Sequence, residues 1–301
     1  MVRVGYIGLG NIGAPMAARI ISPGGFFLTV WNRTPEKMEP LVAAGAKRAT
    51  SAAEVAAASD IVCLCLDSAD AVEKVVFGAE GIVSGGKGRT RLVVDNSTLH
   101  PLHTCEFAER LRCSAGMGWL DIPVSGGPVG ATAGTLAAMA GGDAEELESV
   151  RPVIMSYANR LTHMGPIGSG QATKACNQII NFGTIAAIAE AYNVAGHFGL
   201  NPERLPEAVA GGFADSNMLR EIARARAAGE SKSVALLMQS LLDFYDGRVN
   251  KALAGKLNIL MKDVGVALDL ARATGAAAPV LGLFDNFFRV LHHQKPETRR
   301  A

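Results

Sequence analysis

The chain has 301 residues, of which 49% are hydrophobic and 19% charged, with 29 Lys and Arg against 28 Asp and Glu. That is enough apolar material for one large domain or two ordinary ones. A formal charge of +1 excludes an overall field that would draw in nucleic acid or an anionic membrane, and no apolar run approaches the roughly 18–20 residues of a membrane span.

In chain order, the first half alternates short β-branched runs with helical stretches. VRVGYIGL (2–9), FLTVW (27–31), DIVCLCL (60–66), RLVVDNS (91–97), GWLDIPV (118–124) and TLAAMAGG (135–142) read as buried strands. Between them, APMAARII (14–21), AVEKVVF (71–77) and LHTCEFAERL (102–111) read as helices. The alternation predicts βαβ units and an α/β domain with a mostly parallel sheet covered on both faces. After HMGPIGSG the strand-like runs stop, and from Gly170 the pattern is helical almost to the end, broken by GLNPE, GGFADS and GAAAP. The glycines and proline of 165–170 therefore mark a domain boundary, dividing the chain into 1–165 and an all-α 166–301. The tail HHQKPETRRA reads as solvated and frayed.

The first strand runs into Gly8-Leu9-Gly10-Asn11-Ile12-Gly13, which opens a helix. In such a turn the first glycine permits a tight bend and the second lets backbone approach a pyrophosphate. The third allows close packing of helix on strand. The bland alternative is a glycine-rich turn that binds nothing. About twenty residues on, where a carboxylate would grip the ribose hydroxyls of NAD, stand Asn32, Arg33 and Thr34. An amide, a guanidinium and a hydroxyl accommodate a 2′-phosphate, so NADP is the expected cofactor, with NAD as the second choice. Otherwise Arg33 is an ordinary solvated arginine.

Further along, DIPVSGGPVGA follows a strand and leads toward a helix. The Ser125 hydroxyl and the bare amides of Gly126 and Gly127 would seat a small carboxylate, and Pro128 suits a first helical turn. A tight strand-to-helix turn explains the same residues. In GQATKACNQIIN, Lys174, Asn177, Gln178 and Asn181 are spaced to share one helix face. A lysine with three amides is the usual make-up of a solvated face, yet the flanking apolar runs argue against full exposure.

Taken together, these motifs resemble the β-hydroxyacid dehydrogenase family, which includes 3-hydroxyisobutyrate dehydrogenases, tartronate semialdehyde reductases and glyoxylate/succinic semialdehyde reductases. GLGNIG, DIPVSGGPVGATAGTLAAMAGG, GSGQATKACNQ and LMKDVGVAL occur in family order over nearly the whole chain. VVDNSTLHP is similar to the family's D-x-S-T segment beside the nicotinamide ribose. The resemblance implies a Rossmann domain followed by an all-helical domain, with the active site in the cleft between them. It implies hydride transfer between NADP(H) and a small carboxylate-bearing hydroxyacid or semialdehyde. Lys174 would be the catalytic acid and base, Ser125, Gly126 and Gly127 would bind the substrate carboxylate, and Asn177 would contact substrate. Leu66, Asp67 and Thr98 would line the cofactor cleft, and Lys262 would lie near cofactor and substrate. Gln178 and Asn181 would support them or contact the neighbouring domain. A homodimer or homotetramer is also implied. The chain departs from the family pattern over 215–256, which is longer and lacks the aromatic-rich approach to the late lysine motif.

Imine reductases share this architecture, but many replace the lysine that Lys174 retains, which ranks that alternative lower. A catalytically inactive cofactor-binding protein is the alternative from another class; joint retention of Ser125, Lys174 and Asn177 counts against it. His100 with His103, and His292 with His293, lack a third metal ligand, so no metal is expected. Glu190 reads as a buried partner or a rim residue, and Cys176 as packing on another face of the stripe's helix. Cys63, Cys65, Cys105, Cys113 and Cys176 lack paired metal-type spacing, which suits a reducing interior. Cys63 and Cys65 are expected to point the same way off a strand. With no signal-peptide layout after Met1, a cytoplasmic protein is expected.

Overall fold

The computed structural model describes residues 2–21, 25–230, 233–248 and 257–293. The chain divides into two compact units, Met1–Lys174 and Ala175–Ala301.

The first unit is built on a single sheet. Its strands are β1 (Arg3–Ile7), β2 (Phe27–Trp31), β3 (Lys47–Arg48), β4 (Ile61–Leu64), β5 (Leu92–Asp95), β6 (Gly118–Asp121), β7 (Val124–Ser125), β8 (Leu136–Gly141) and β9 (Ala158–Gly165). They lie in the order β3-β2-β1-β4-β5-β6-β8-β7, with β9 also paired to β8. All neighbours from β3 to β6 run parallel, and β8 is antiparallel to β6 and β7 but parallel to β9. The order reverses between β1 and β4, which creates a crevice at the carboxyl ends of those strands.

The middle strands owe their position to composition. β4 (IVCL) and β5 (LVVD) are buried at every residue, as a parallel strand covered on both faces must be. The pleat sends alternate side chains into two cores. Val4, Tyr6, Ile61, Cys63, Leu92 and Val94 enter one, while Ile7, Val62, Leu64 and Val93 enter the other. Cys65 packs against the same core as Cys63, so the two thiols face one way as expected. Eight helices cover this sheet among the described residues: α1 (Gly13–Ile21), α2 (Glu39–Ala43), α3 (Ala52–Ala58), α4 (Ala69–Phe77), α5 (Ile82–Gly85), α6 (Pro101–Ala115), α7 (Gly127–Ala133) and α8 (Ala144–Ile154). Ser51, Ser68 and Asp143 accept backbone N–H bonds at the starts of α3, α4 and α8, each such cap being worth about 1 kcal/mol.

Three strand readings change. The two-residue β3, exposed and charged, carries no apolar signal in the sequence. GWLDIPV is not one strand: β6 ends at Asp121, and β7 starts at Val124 after Pro123, which has no N–H for a ladder. β9 was not anticipated, because seven of its eight residues, ANRLTHMG, are exposed or only partly buried and show no apolar alternation. It pairs with β8 along its backbone, and only Ala158 and Leu161 reach the core.

Helix α9 (Ser169–Phe198) begins one residue before the expected Gly170 and carries the chain into the second unit. Among the described residues the helices that follow are α10 (Leu205–Ala208), α11 (Asn217–Ala227), α12 (Ser233–Tyr245), α13 (Leu257–Thr274) and α14 (Pro279–His293). Phe182, Ile185 and Tyr192 of α9 pack with Ile222, Met238, Leu241, Val264, Leu281 and Phe288 into a core of its own. Among the described residues no helix is long and apolar enough to cross a membrane. Part of the 215–256 stretch and the 294–301 tail lie outside the described residues.

Candidate active site

The glycine turn after β1 has the shape a dinucleotide requires. Gly8 sits at φ +97°, and a Cβ there would stand 2.2 Å from the Cys65 carbonyl oxygen. At Gly13 a Cβ would stand 2.0 Å from the Gly8 carbonyl oxygen. At Gly10 it would meet nothing within 4 Å. Two glycines thus close the turn on its neighbours, while the middle one leaves bare backbone facing open space ahead of α1. Helix α1 has no acidic residue in its first turn, so nothing there repels a phosphate. Leu9 is buried and offers the site backbone only, Asn11 is exposed, and Ile12 packs against the core.

The other expected cofactor residues follow the carboxyl ends of neighbouring strands. Asn32, after β2, accepts the Leu9 N–H at 2.9 Å and donates to the Thr34 carbonyl at 3.0 Å. Its amide is therefore a brace for the glycine turn. Arg33 and Thr34 are exposed, and Arg33 makes no ion pair among the described residues. After β4, the Leu66 N–H donates to Ser97 Oγ at 2.9 Å, and the Leu66 side chain lies against Gly8. Asp67 is exposed beside it. After β5, the Ser97 N–H donates to Asp95 Oδ1 at 2.9 Å, and half-buried Thr98 comes next. The structure thus gathers these residues along the edge of the sheet that holds the strand-order reversal, the ligand side of a doubly wound sheet.

Lys174 is buried, with 7% exposure, and its Nζ donates to the Val124 carbonyl at 2.9 Å. Val124 immediately precedes Ser125, so the lysine amine stands beside the serine–glycine turn. Ser125 is half-buried, and Gly126 and Gly127 are exposed with φ of +131° and +63°. A Cβ at Gly127 would meet nothing within 4 Å, which leaves its amide open to a ligand.

Two residues that the sequence did not single out fix the start of α9. Asp121, wholly buried at the end of β6, accepts the N–H groups of Gly168 and Gln171, each at 2.8 Å. Burial pushes its carboxyl up to about 6, against the opposing pull of those backbone donors. Gln171, also wholly buried, accepts the Leu99 N–H at 3.0 Å and donates to the Ser97 carbonyl at 2.8 Å. A faint signal existed for both. Asp121 is an acidic residue in an apolar strand, and Gln171 stands one turn before Lys174.

In the second unit, Asn177 Nδ2 donates to Gln178 Oε1 at 3.1 Å. Gln178 Nε2 donates in turn to Asp263 Oδ2 at 2.5 Å. Asp263 also pairs with Lys262, Nζ to Oδ1 at 3.4 Å. Four polar groups from α9 and α13 thereby form one chain, with Gln178 and Asp263 buried. Asp263 was missed in the sequence although it adjoins Lys262.

Other residues find different uses. Cys176 is exposed rather than packed, because it points away from the buried side of α9 that carries Lys174, Ala175 and Gln178. Glu190 is exposed and Asn181 half-buried. His100 caps α6, its Nδ1 accepting the Leu102 N–H at 3.2 Å, and His103 stacks on Phe107. His292 and His293 close α14. The described residues contain no group of three or more His, Cys, Asp and Glu that could hold a metal ion.

A doubly wound sheet with a dinucleotide turn, ending in a buried lysine on the helix that leads into a helical unit, defines a class of nicotinamide-dependent oxidoreductases. Residues 3–165 match the NAD-binding domain of 6-phosphogluconate dehydrogenase, and residues 168–299 match the NAD-binding region of NADP-dependent 3-hydroxyisobutyrate dehydrogenase. The chain belongs to the β-hydroxyacid dehydrogenase family. It is 38% identical to the 2-hydroxy-3-oxopropionate reductase of Escherichia coli over 72% of this chain and 73% of that one. It is 31% identical to the 3-hydroxyisobutyrate dehydrogenase of Pseudomonas aeruginosa over 98% and 93%. The 3-hydroxyisobutyrate dehydrogenase of Mycobacterium tuberculosis, solved with L-serine, superposes with a TM-score of 0.75 at 30% identity, covering 96% of this chain and 93% of its own. An imine reductase from Pseudomonas sp. shares the fold alone, with a TM-score of 0.63 at 20% identity over 96% and 92%.

Proposed function

We propose that this protein interconverts a short semialdehyde-type acid and its hydroxyacid with NADP(H), using Lys174 as general acid and base. The observation that carries the reading is the buried Lys174 amine, 2.9 Å from the Val124 carbonyl and next to the Ser125–Gly127 turn. The bound nicotinamide supplies or takes up the hydride. Lys174 gives its proton to the carbonyl oxygen in reduction and reclaims it in oxidation, a role worth about 10²- to 10⁴-fold. Its positive charge also stabilises the developing alkoxide. The Ser125 hydroxyl and the Gly126 and Gly127 amides hold the carboxylate, and Asn177 contacts the substrate. The glycine turn with Leu66, Asp67 and Thr98 holds the cofactor, Arg33 and Thr34 take its 2′-phosphate, and Lys262 serves the cofactor as well.

A carboxylate seated so close to the lysine selects a substrate only a few carbons long. Acids of the 3-hydroxyisobutyrate, tartronate semialdehyde, glyoxylate and succinic semialdehyde types meet that requirement. The NADP reading favours reduction, in the cytoplasm. The working form is a homodimer or homotetramer. In support, Ile180, Ala187, Ala191, Val194 and Phe198 form an exposed apolar row along α9 at steps of three, four and seven, as in a helix–helix seam.

The test is a screen of short semialdehydes and hydroxyacids with both cofactors, on the wild type and on Lys174→Ala. The variant is expected to fold and bind cofactor by fluorescence titration, and to lose about 10²- to 10⁴-fold in kcat. A near-normal kcat would remove Lys174 from the mechanism. Reduction of a cyclic imine without turnover of any acid would point to an imine reductase, and turnover of nothing to an inactive binder.

A further inference from the structure

The helical turn that carries Lys174 is tied to the dinucleotide turn by an unbroken run of contacts inside the first unit. Gly8 lies against the side chain of Leu66, whose N–H donates to Ser97 Oγ at 2.9 Å. The Ser97 carbonyl accepts Gln171 Nε2 at 2.8 Å, and the Leu99 N–H donates to Gln171 Oε1 at 3.0 Å. Lys174 follows one turn later on the same helix. Both ends of the Gln171 amide are thus engaged by backbone two residues apart on the loop after β5. Its own N–H is held by Asp121.

An apolar side chain of similar length would fill the same space without the cost of burying an amide. What only the amide provides is register. It fixes one helical turn against a loop at the ligand-binding edge of the sheet. Removing it would leave a buried carbonyl and a buried N–H without partners, and would let the turn with Lys174 shift relative to that loop.

We propose that Gln171 is a positioning residue: it locks the loop after β5 to the turn that bears Lys174, so that cofactor binding at the strand ends also fixes the lysine. The lysine's role in this inference rests on the functional reading above. Gln171 touches no reacting atom and acts through Ser97, Leu99 and the helix.

The test uses the full-length protein with Gln171→Met, which keeps the length and loses both bonds, and Gln171→Glu, which keeps an acceptor for Leu99 and loses the donor to Ser97. Both variants are expected to bind NADP within about threefold of wild type, while kcat falls roughly 10- to 100-fold, in line with the cost of a small misplacement. The KM for the acid is expected to change little, and the primary isotope effect on kcat to rise with cofactor deuterated at the transferred position, because hydride transfer becomes slowest. A second readout needs no turnover. Saturating NADP is expected to slow amide exchange at residues 173–176 in the wild type and not in either variant.

Unchanged kcat and isotope effect with only a lower Tm would overturn the proposal. So would exchange slowing that survives in the variants. Failure of both variants to fold would overturn it too, since the side chain would then be holding the unit together. A wild type that turns over no short acid would sink the functional reading, while the exchange comparison would still decide whether Gln171 couples loop and helix.

Discussion

Arg33 is the residue on which the proposed NADP preference turns. At the end of β2 a carboxylate would hold the ribose hydroxyls of NAD, and this chain has none there. The Asn32 amide is already committed to Leu9 and Thr34, which leaves the exposed Arg33 guanidinium as the charged group proposed to meet a 2′-phosphate. Hydrogen bonds to a charged group contribute about 1.5–3 kcal/mol, so Arg33→Ala is expected to lower the NADPH-to-NADH ratio of kcat/KM by roughly 10- to 100-fold. Steady-state kinetics with both cofactors measure it, and an unchanged ratio would make Arg33 a solvated loop arginine. Arg33 stands out in the sequence by its type and its distance from the glycines. That Asn32 would spend its side chain on the glycine turn does not, because a hydrogen-bond partner 23 residues away is set by how β1 and β2 pair.

The start of α9 is the element whose stability depends most plainly on pH. Asp121 receives two backbone donors there, yet burial raises its carboxyl from 3.8 to about 6. Well below pH 4 the group is protonated in folded and unfolded chains alike. Between pH 4 and pH 6 the unfolded chain releases the proton first, so this carboxyl subtracts stability as pH rises, and above pH 6 the loss is complete. A shift of that size corresponds to about 3 kcal/mol. The stability of wild type relative to Asp121→Asn is therefore expected to fall by up to that amount from pH 4 to pH 6, read from urea midpoints. A difference that stays flat or grows would contradict it. The apolar strands and the glycine-started helix of this region were legible from local pattern. β9 was not, since an exposed strand held by backbone pairing leaves no periodic trace. Nor was the break at Pro123, because the apolar run continues across it.

On the scale of the whole molecule, the chain has two units with separate cores, and one long helix with an uncovered apolar row. Ile180, Val194 and Phe198 are 70%, 68% and 81% exposed, a pattern that a second copy would cover. The double variant Val194→Glu/Phe198→Glu is expected to shift sedimentation toward the monomer at micromolar concentration while leaving the far-UV circular dichroism unchanged. A wild type that already sediments as a monomer would refute the assembly. The row escaped the sequence reading because apolar residues also occupy the buried side of α9, and composition does not tell a covered face from an open one.

Fold class and family were set by the chain itself. Glycine spacing, strand–helix alternation and the lysine–amide spacing are local properties, and each restricts what the backbone or a ligand can do within a few residues. Tertiary structure decided which polar groups act together. Asp121 meets the N–H groups of Gly168 and Gln171, Gln171 meets Ser97 and Leu99, and Gln178 meets Asp263. These partners lie 47 to 85 residues apart. No local rule pairs them, because a buried hydrogen bond depends on where the strands and helices bring its two ends.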